Sequence, residues 1–179
     1  MLLILGLNGC GKTTAGRIVA EKLGLFFMDA EDYYFPVPGD FTVSRTQEEA
    51  HRLMEADAAA HGGFVLCCVR CNSSDALLSK IRLAVVLRAP AEVRAQRIIQ
   101  REEARFGSRV LPGGDMYEEH QKFLTDVGGY EHGAGSCNRE QHELWISQLT
   151  CPVLRLDGGE ELTKNQAMIV ESYRRNTNE

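Results

Sequence analysis

The chain has 179 residues, a formal net charge of −5 and a hydrophobic share of 44%. That length suits one domain built around a single buried sheet. A sequence pI near 5.6 excludes a general nucleic-acid or membrane-surface binder, because phosphate backbones require a net basic face. No run approaches the roughly 20 apolar residues of a membrane span.

Short apolar runs alternate with amphipathic stretches along the whole chain, the pattern of a parallel sheet covered by helices. Leu2–Leu5 reads as the first strand and runs directly into Gly6. From Lys12 to Leu23, Ala15, Ile18, Val19 and Leu23 share one helical face. Leu25–Met28 is a second short strand, stopped at Asp29. Pro36, Pro38 and Gly39 make the stretch from Ala30 to Thr42 a loop. A helix from Thr46 to His61 follows, with Ala50, Leu53, Met54 and Ala58 inward and Gly62-Gly63 as its stop.

Phe64–Val69 is the third strand, the most continuously apolar and so the expected centre of the sheet. Leu83–Leu87 and Val153–Leu156 are the fourth and fifth. Between them lie a charged helix from Ala91 to Phe106, a Gly-rich loop through Gly114, further helical pieces and a flexible patch from Gly128 to Ser136. A last helix, Thr163 to Arg174, covers the sheet edge. No repeat, low-complexity tract or linker divides the chain, so residues 1–179 read as one domain.

Six cysteines (Cys10, Cys67, Cys68, Cys71, Cys137 and Cys151) are too sparse for a disulfide scaffold, and two of them sit in a buried strand. They read as reduced thiols of a cytoplasmic chain, and the apolar start Met1–Leu5 has no basic leader of a signal peptide. Cys68 and Cys71 have no second pair at zinc-ribbon distance, and His132, Cys137 and His142 match no standard zinc spacing.

The strongest signal is Gly6-Leu7-Asn8-Gly9-Cys10-Gly11-Lys12-Thr13, a complete G-x-x-x-x-G-K-[ST] between strand and helix. Glycines let successive N–H groups curl toward phosphate oxygens, and the helix N-terminus adds its positive dipole end. Lys12 is expected on the β- and γ-phosphates, Thr13 on Mg²⁺ and Thr14 on the α-phosphate. Asn8, Gly9, Cys10 and Gly11 complete the nucleotide-binding loop, and Cys10 at a helix start is expected to have a lowered thiol pKa.

The base-reading N-K-x-D of nucleotide switches is missing, and the third and fourth strands end in Arg70 and Arg88 rather than an acid. The acids available after an early strand are Asp29 and Asp32. This placement resembles the small-molecule kinases of the shikimate and gluconate kinase group. The resemblance implies Asp29 as metal ligand or general base and Asp32 as substrate ligand.

A basic cluster follows. Arg94, Arg97, Arg101 and Arg105 fall within a roughly 80° arc of one helix face. Like charges repel there unless anions meet them, and phosphoryl transfer supplies such anions. With Gly107-x-Arg109 and Gly114-Asp115, this region resembles the lid of nucleoside monophosphate kinases, although Leu111-Pro112-Gly113-Gly114-Asp115-Met116 lacks their paired acids. The resemblance implies Arg101 and Arg105 at the nucleotide, Arg109 at the transferring phosphoryl, and Asp157 near the adenine or in a plain turn. It also implies a three-layer phosphate-loop kinase fold, a five-stranded parallel sheet in the order 2-3-1-4-5 with helices on both faces and an Arg-rich lid.

The acceptor is expected to bind the segment of about 30–61, near Asp32, Arg45, Arg52 and Arg70, with the lid at about 101–137. Tyr33, Tyr34, Phe35 and Phe41 either face a ring of the acceptor or form a small core. The expected activity is ATP- and Mg²⁺-dependent phosphoryl transfer to a nucleoside monophosphate or a shikimate- or sugar-acid-like molecule. The alternatives are an ATP-binding regulatory protein or slow ATPase without acceptor, and a kinase of polynucleotide ends.

Overall fold

A computed structural model describes residues 1–37, 41–133 and 137–177. Five parallel strands, β1 (Leu2–Leu5), β2 (Phe26–Asp29), β3 (Phe64–Cys68), β4 (Leu83–Arg88) and β5 (Val153–Asp157), form one sheet in the order β2-β3-β1-β4-β5. The helices are α1 (Lys12–Leu23), α2 (Ala30–Tyr34), α3 (Gln47–His61), α4 (Asp75–Leu78), α5 (Ala91–Phe106), α6 (Tyr117–Gly128), α7 (Arg139–Ser147) and α8 (Leu162–Thr177). This is the expected phosphate-loop kinase arrangement, with the expected strand order.

β1, not β3, holds the middle of the sheet: Leu2 aligns with Val65 of β3 on one side and Leu83 of β4 on the other. Both flanking strands are interior, which is why all three read as unbroken apolar runs, whereas edge strands β2 and β5 are only partly buried. Alternate residues serve opposite faces. Leu2, Ile4, Val65 and Val85 pack with Val19 of α1, Ile98 of α5 and Ile169 of α8. Leu3, Leu5, Leu66 and Val86 pack with Ala50 and Met54 of α3 and Ile146 of α7. Truncating one of these buried leucines to alanine costs about 2–5 kcal/mol.

The stretch expected to be loop from Ala30 begins with α2. Asp29 caps it, accepting from the Glu31 backbone N–H at 3.2 Å, and Glu31 and Asp32 add acids to its first turn. Pro36 acts after the helix has closed, so the loop starts later than proline content alone suggests. Thr46, expected as the first helical residue of α3, is its cap, with Oγ1 accepting from Glu49 N–H at 3.2 Å. Pro38 and Gly39 of the expected loop, and Ala134, Gly135 and Ser136 of the expected flexible patch, lie outside the described residues. Among the described residues, no helix is long and apolar enough to cross a membrane.

Candidate active site

The turn between β1 and α1 shapes the site. Gly9 and Gly11 take φ of +82° and +92°, and a Cβ on Gly9 would stand 2.7 Å from the Arg94 carbonyl oxygen. Only glycine combines that left-handed backbone with that approach. The loop therefore curls tightly against the start of α5 and leaves its N–H groups at the mouth of α1. Lys12 is buried, and its Nζ donates to the Leu7 carbonyl at 3.2 Å across the loop. Thr14 is exposed at the rim.

β2 brings Asp29 to this mouth. Thr13 Oγ1 donates to Asp29 Oδ2 at 2.8 Å, while Asp29 Oδ1 holds the N-terminus of α2. One carboxylate thus fixes both the metal-binding hydroxyl expected from the motif and the helix beside it. These are two adjacent oxygen donors, and magnesium is held by one or two protein oxygens together with phosphates and water, so the pair fits that ion.

Glu31 was not among the residues singled out from sequence. Desolvation around its carboxyl, then the Asp29 charge, push it above the usual carboxylate range, against the pull of Lys12 and Arg101. Desolvation and Asp29 likewise raise Asp32, with Arg17 opposing. Recognising Asp29 as a helix cap would have placed Glu31 in the same acidic turn.

The arginines of α5 divide by depth, which corrects the expectation of one anion-facing row. Arg94 is 1% exposed. Its Nε and Nη1 donate to the carbonyls of Ala89 and Val127, each at 3.1 Å, and its guanidinium lies 5.4 Å from the Tyr130 ring centroid. It holds α5 to the end of α6 and serves the fold. Arg97 Nη1 donates to the carbonyls of Gly9, at 3.2 Å, and Gly158, at 2.8 Å, tying the phosphate loop to the turn after β5. Arg101 pairs with Glu102, and Arg105 lies over the Phe106 ring with its guanidinium 5.2 Å from the centroid.

Arg109, expected at the transferring phosphoryl, sits in the 3-10 turn Gly107–Val110 and makes a two-pronged pair with Asp115. Both side chains are exposed. Asp157 caps its own turn, Oδ1 accepting from Gly159 N–H at 2.7 Å and its carbonyl accepting from Asn165 Nδ2 at 2.7 Å. Of the two readings of Asp157, the geometry displays the strand-to-helix turn.

Beyond α2, Arg45 Nη1 donates to the Tyr33 carbonyl at 2.8 Å and reaches the Asp32 carbonyl at 3.4 Å. Arg45 thereby satisfies the end of α2. Arg52 is exposed on α3, and Arg70 is exposed after β3 with its charge acting on Cys137. Tyr33 and Tyr34 pack against the core under α3, and Tyr33 donates to Asp57 at 2.6 Å. Asn72 Nδ2 donates to the Tyr34 hydroxyl at 3.0 Å, and His51 Nε2 to the Asn72 carbonyl at 2.5 Å. Phe35 and Phe41 meet edge to face, 5.0 Å between centroids.

One cysteine expectation changes. Burial pushes the Cys10 thiol up, outweighing Lys12 and Arg94, so its place at the helix start does not activate it. Cys137 Sγ lies 3.2 Å from His142 Nε2, but that histidine is already engaged: Nε2 donates to the Val69 carbonyl at 2.7 Å and Nδ1 accepts from Tyr130 at 2.8 Å. Burial also lowers the His142 pKa. Among the described residues, no group of three or more His, Cys, Asp or Glu side chains is arranged to hold a metal ion.

Comparison with known proteins agrees with this geometry. A family model described as an AAA domain matches residues 2–119. The chain is 34% identical over 155 residues to the uncharacterised protein YqaC of Bacillus subtilis, covering 86% of each. It is 33% identical over 123 residues to a cytidylate kinase of Methanococcoides burtonii, covering 62% of this chain and 67% of that one. A shikimate kinase from Acinetobacter baumannii, solved in complex with shikimate, superposes with a TM-score of 0.53 at 16% identity, covering 98% of this chain and 93% of the other.

Proposed function

The chain belongs to the AAA-domain family and, within it, to the phosphate-loop small-molecule kinases, and from that premise we propose that it transfers the γ-phosphoryl group of ATP to a small-molecule acceptor. The acceptor classes are a nucleoside monophosphate, supported by the cytidylate kinase relative, and a shikimate- or sugar-acid-like molecule, supported by the two acids Asp29 and Asp32 beside the phosphate loop. In this reading residues 1–179 work as one kinase domain in the cytoplasm, with an acceptor segment of about 30–61 and a lid of about 101–137. The observation that carries the proposal is the 2.8 Å bond from Thr13 to Asp29.

Magnesium, when bound, neutralises charge on the transferring phosphates. Thr13 and Asp29 are the residues to hold it, one through its hydroxyl and the other through its carboxylate. Lys12 exchanges the Leu7 carbonyl, its partner at 3.2 Å, for phosphate oxygen. The loop amides from Asn8 to Thr14 cradle the same phosphates. Asp32 orients the acceptor, and Arg45, Arg52 and Arg70 supply the positive charge of that side. Arg101 and Arg105 meet the nucleotide. Arg109 leaves Asp115 as the lid closes and offsets the charge that develops on the phosphoryl oxygens. Closure excludes water and so favours the acceptor over hydrolysis.

The test is ADP release from MgATP across a panel of nucleoside monophosphates, shikimate-like acids and sugars. At least one member should accelerate release well above the acceptor-free rate. Hydrolysis that no member accelerates would instead identify an acceptor-free ATPase.

A further inference from the structure

Glu102 is held from two sides by elements on either side of the lid tip. Its Oε1 accepts from Arg101 Nη2 at 3.1 Å, and its Oε2 accepts from His120 Nδ1 at 2.6 Å. The histidine comes from α6, which begins only after the chain has passed through the lid tip. The side chains are 53% exposed at Arg101, 15% at Glu102 and 5% at His120. The contact therefore runs from a buried anchor through a shielded carboxylate to a solvent-facing guanidinium.

Arg101 is the outer end of this series and stands one helical turn along α5 from Arg97, whose Nη1 donates to the Gly9 carbonyl of the phosphate loop. An arginine on a surface helix samples many rotamers, and a planar guanidinium is useful to a phosphate only when its fork is already turned toward it. A carboxylate with a free side chain would give Arg101 no fixed partner. Here the second oxygen of that carboxylate is locked by a buried imidazole N–H, and bonds to an ionised acceptor are the stronger kind. An apolar residue at position 120 would pack α6 on α5 equally well and would leave Glu102 free to turn.

We infer that His120 and Glu102 are positioning residues, which set the Arg101 guanidinium for the nucleotide phosphates and make its placement depend on how α6 is docked. The inference rests on the reading of Arg101 as a phosphate contact. It couples the lid to the phosphates: displacing α6 releases Glu102 and, with it, Arg101, and phosphate held by Arg101 favours the docked α6 in return.

The experiment measures ATP and adenosine affinities by calorimetry for the wild type, His120→Ala, His120→Asn, Glu102→Gln, Arg101→Ala and the Arg101→Ala/His120→Ala double variant. His120→Ala should weaken ATP by about tenfold and leave adenosine unchanged. His120→Asn, which keeps an N–H near the Nδ1 position, should recover most of the loss. In the Arg101→Ala background, the His120 change should have no further effect, since coupled residues are not additive. Equal tenfold losses in both backgrounds, or an unchanged ATP affinity in His120→Ala, would overturn the inference. If His120→Ala does not fold, Glu102→Gln carries the same comparison, with the same cycle against Arg101→Ala. A wild type that binds no ATP would refute the proposed function itself and this inference with it, a result distinct from a wild type that binds ATP and is indifferent to position 120.

Discussion

The Thr13 hydroxyl donates to the Asp29 carboxylate at 2.8 Å, joining the first turn of α1 to the end of β2. Neighbouring strands place these two residues together: β2 pairs with β3, β3 with β1, and the phosphate loop leaves β1 at the same end of the sheet. Asp29 also caps α2, so the acid that meets the Thr13 hydroxyl is fixed by a second hydrogen bond.

Replacing Asp29 with Asn keeps the size of the side chain and an oxygen to accept from Thr13, but removes the charge. Asp29→Asn should lower kcat by about 100-fold and raise the magnesium concentration needed for half-maximal rate. Steady-state kinetics across a magnesium titration checks this. An unchanged magnesium dependence would separate Asp29 from the metal.

Glu31 gives a pH signature. Desolvation and the Asp29 charge raise its pKa in the folded chain, so the folded state binds more protons than the unfolded state across the window from the ordinary carboxylate value up to the raised one. Stability contributed by this group falls as pH rises through that window. Glu31→Gln should therefore melt above the wild type at about pH 7 and lose that advantage at about pH 3.5, where both states are protonated. Thermal unfolding at both pH values is the measurement, and an equal difference at the two would contradict the account.

Arg94 and Arg105 share a helix face but not a role. Arg94→Met leaves the Ala89 and Val127 carbonyls without their guanidinium partner, a loss of at least about 2 kcal/mol. Arg105→Met should change stability by no more than about 0.5 kcal/mol. Denaturant unfolding separates the two, and similar losses would return both residues to one class.

Arg97 fastens the phosphate loop at Gly9 to the turn at Gly158. Arg97→Gln should weaken ATP binding by about tenfold, with faster proteolysis in the loop. Titration with ATP and limited proteolysis test both parts, and unaltered affinity would show that the loop holds its shape without this tie.

Much of the fold was legible because its signals are local. The strand–loop–helix unit from Leu2 to Leu23 follows from adjacent apolar, glycine and lysine positions, and the alternating pattern fixes the remaining strands to within a residue or two. Local reading failed where a partner lies far along the chain. Helical spacing puts Arg94 and Arg101 on one arc, but burial of Arg94 depends on Tyr130 and Val127. Arg109 and Asp115 are only six residues apart, but their pairing depends on the path of the turns between them. Proline content masked α2 because the cap that starts it, Asp29, precedes the prolines.

The proposed transfer is tested most directly by ³¹P NMR of MgATP incubated with a pool of nucleoside monophosphates, shikimate-like acids and sugars. The account predicts that ADP appears together with a new phosphorus resonance from a phosphorylated acceptor, and that Lys12→Ala produces neither. Inorganic phosphate as the only product beside ADP, or the same new resonance from Lys12→Ala, would contradict it.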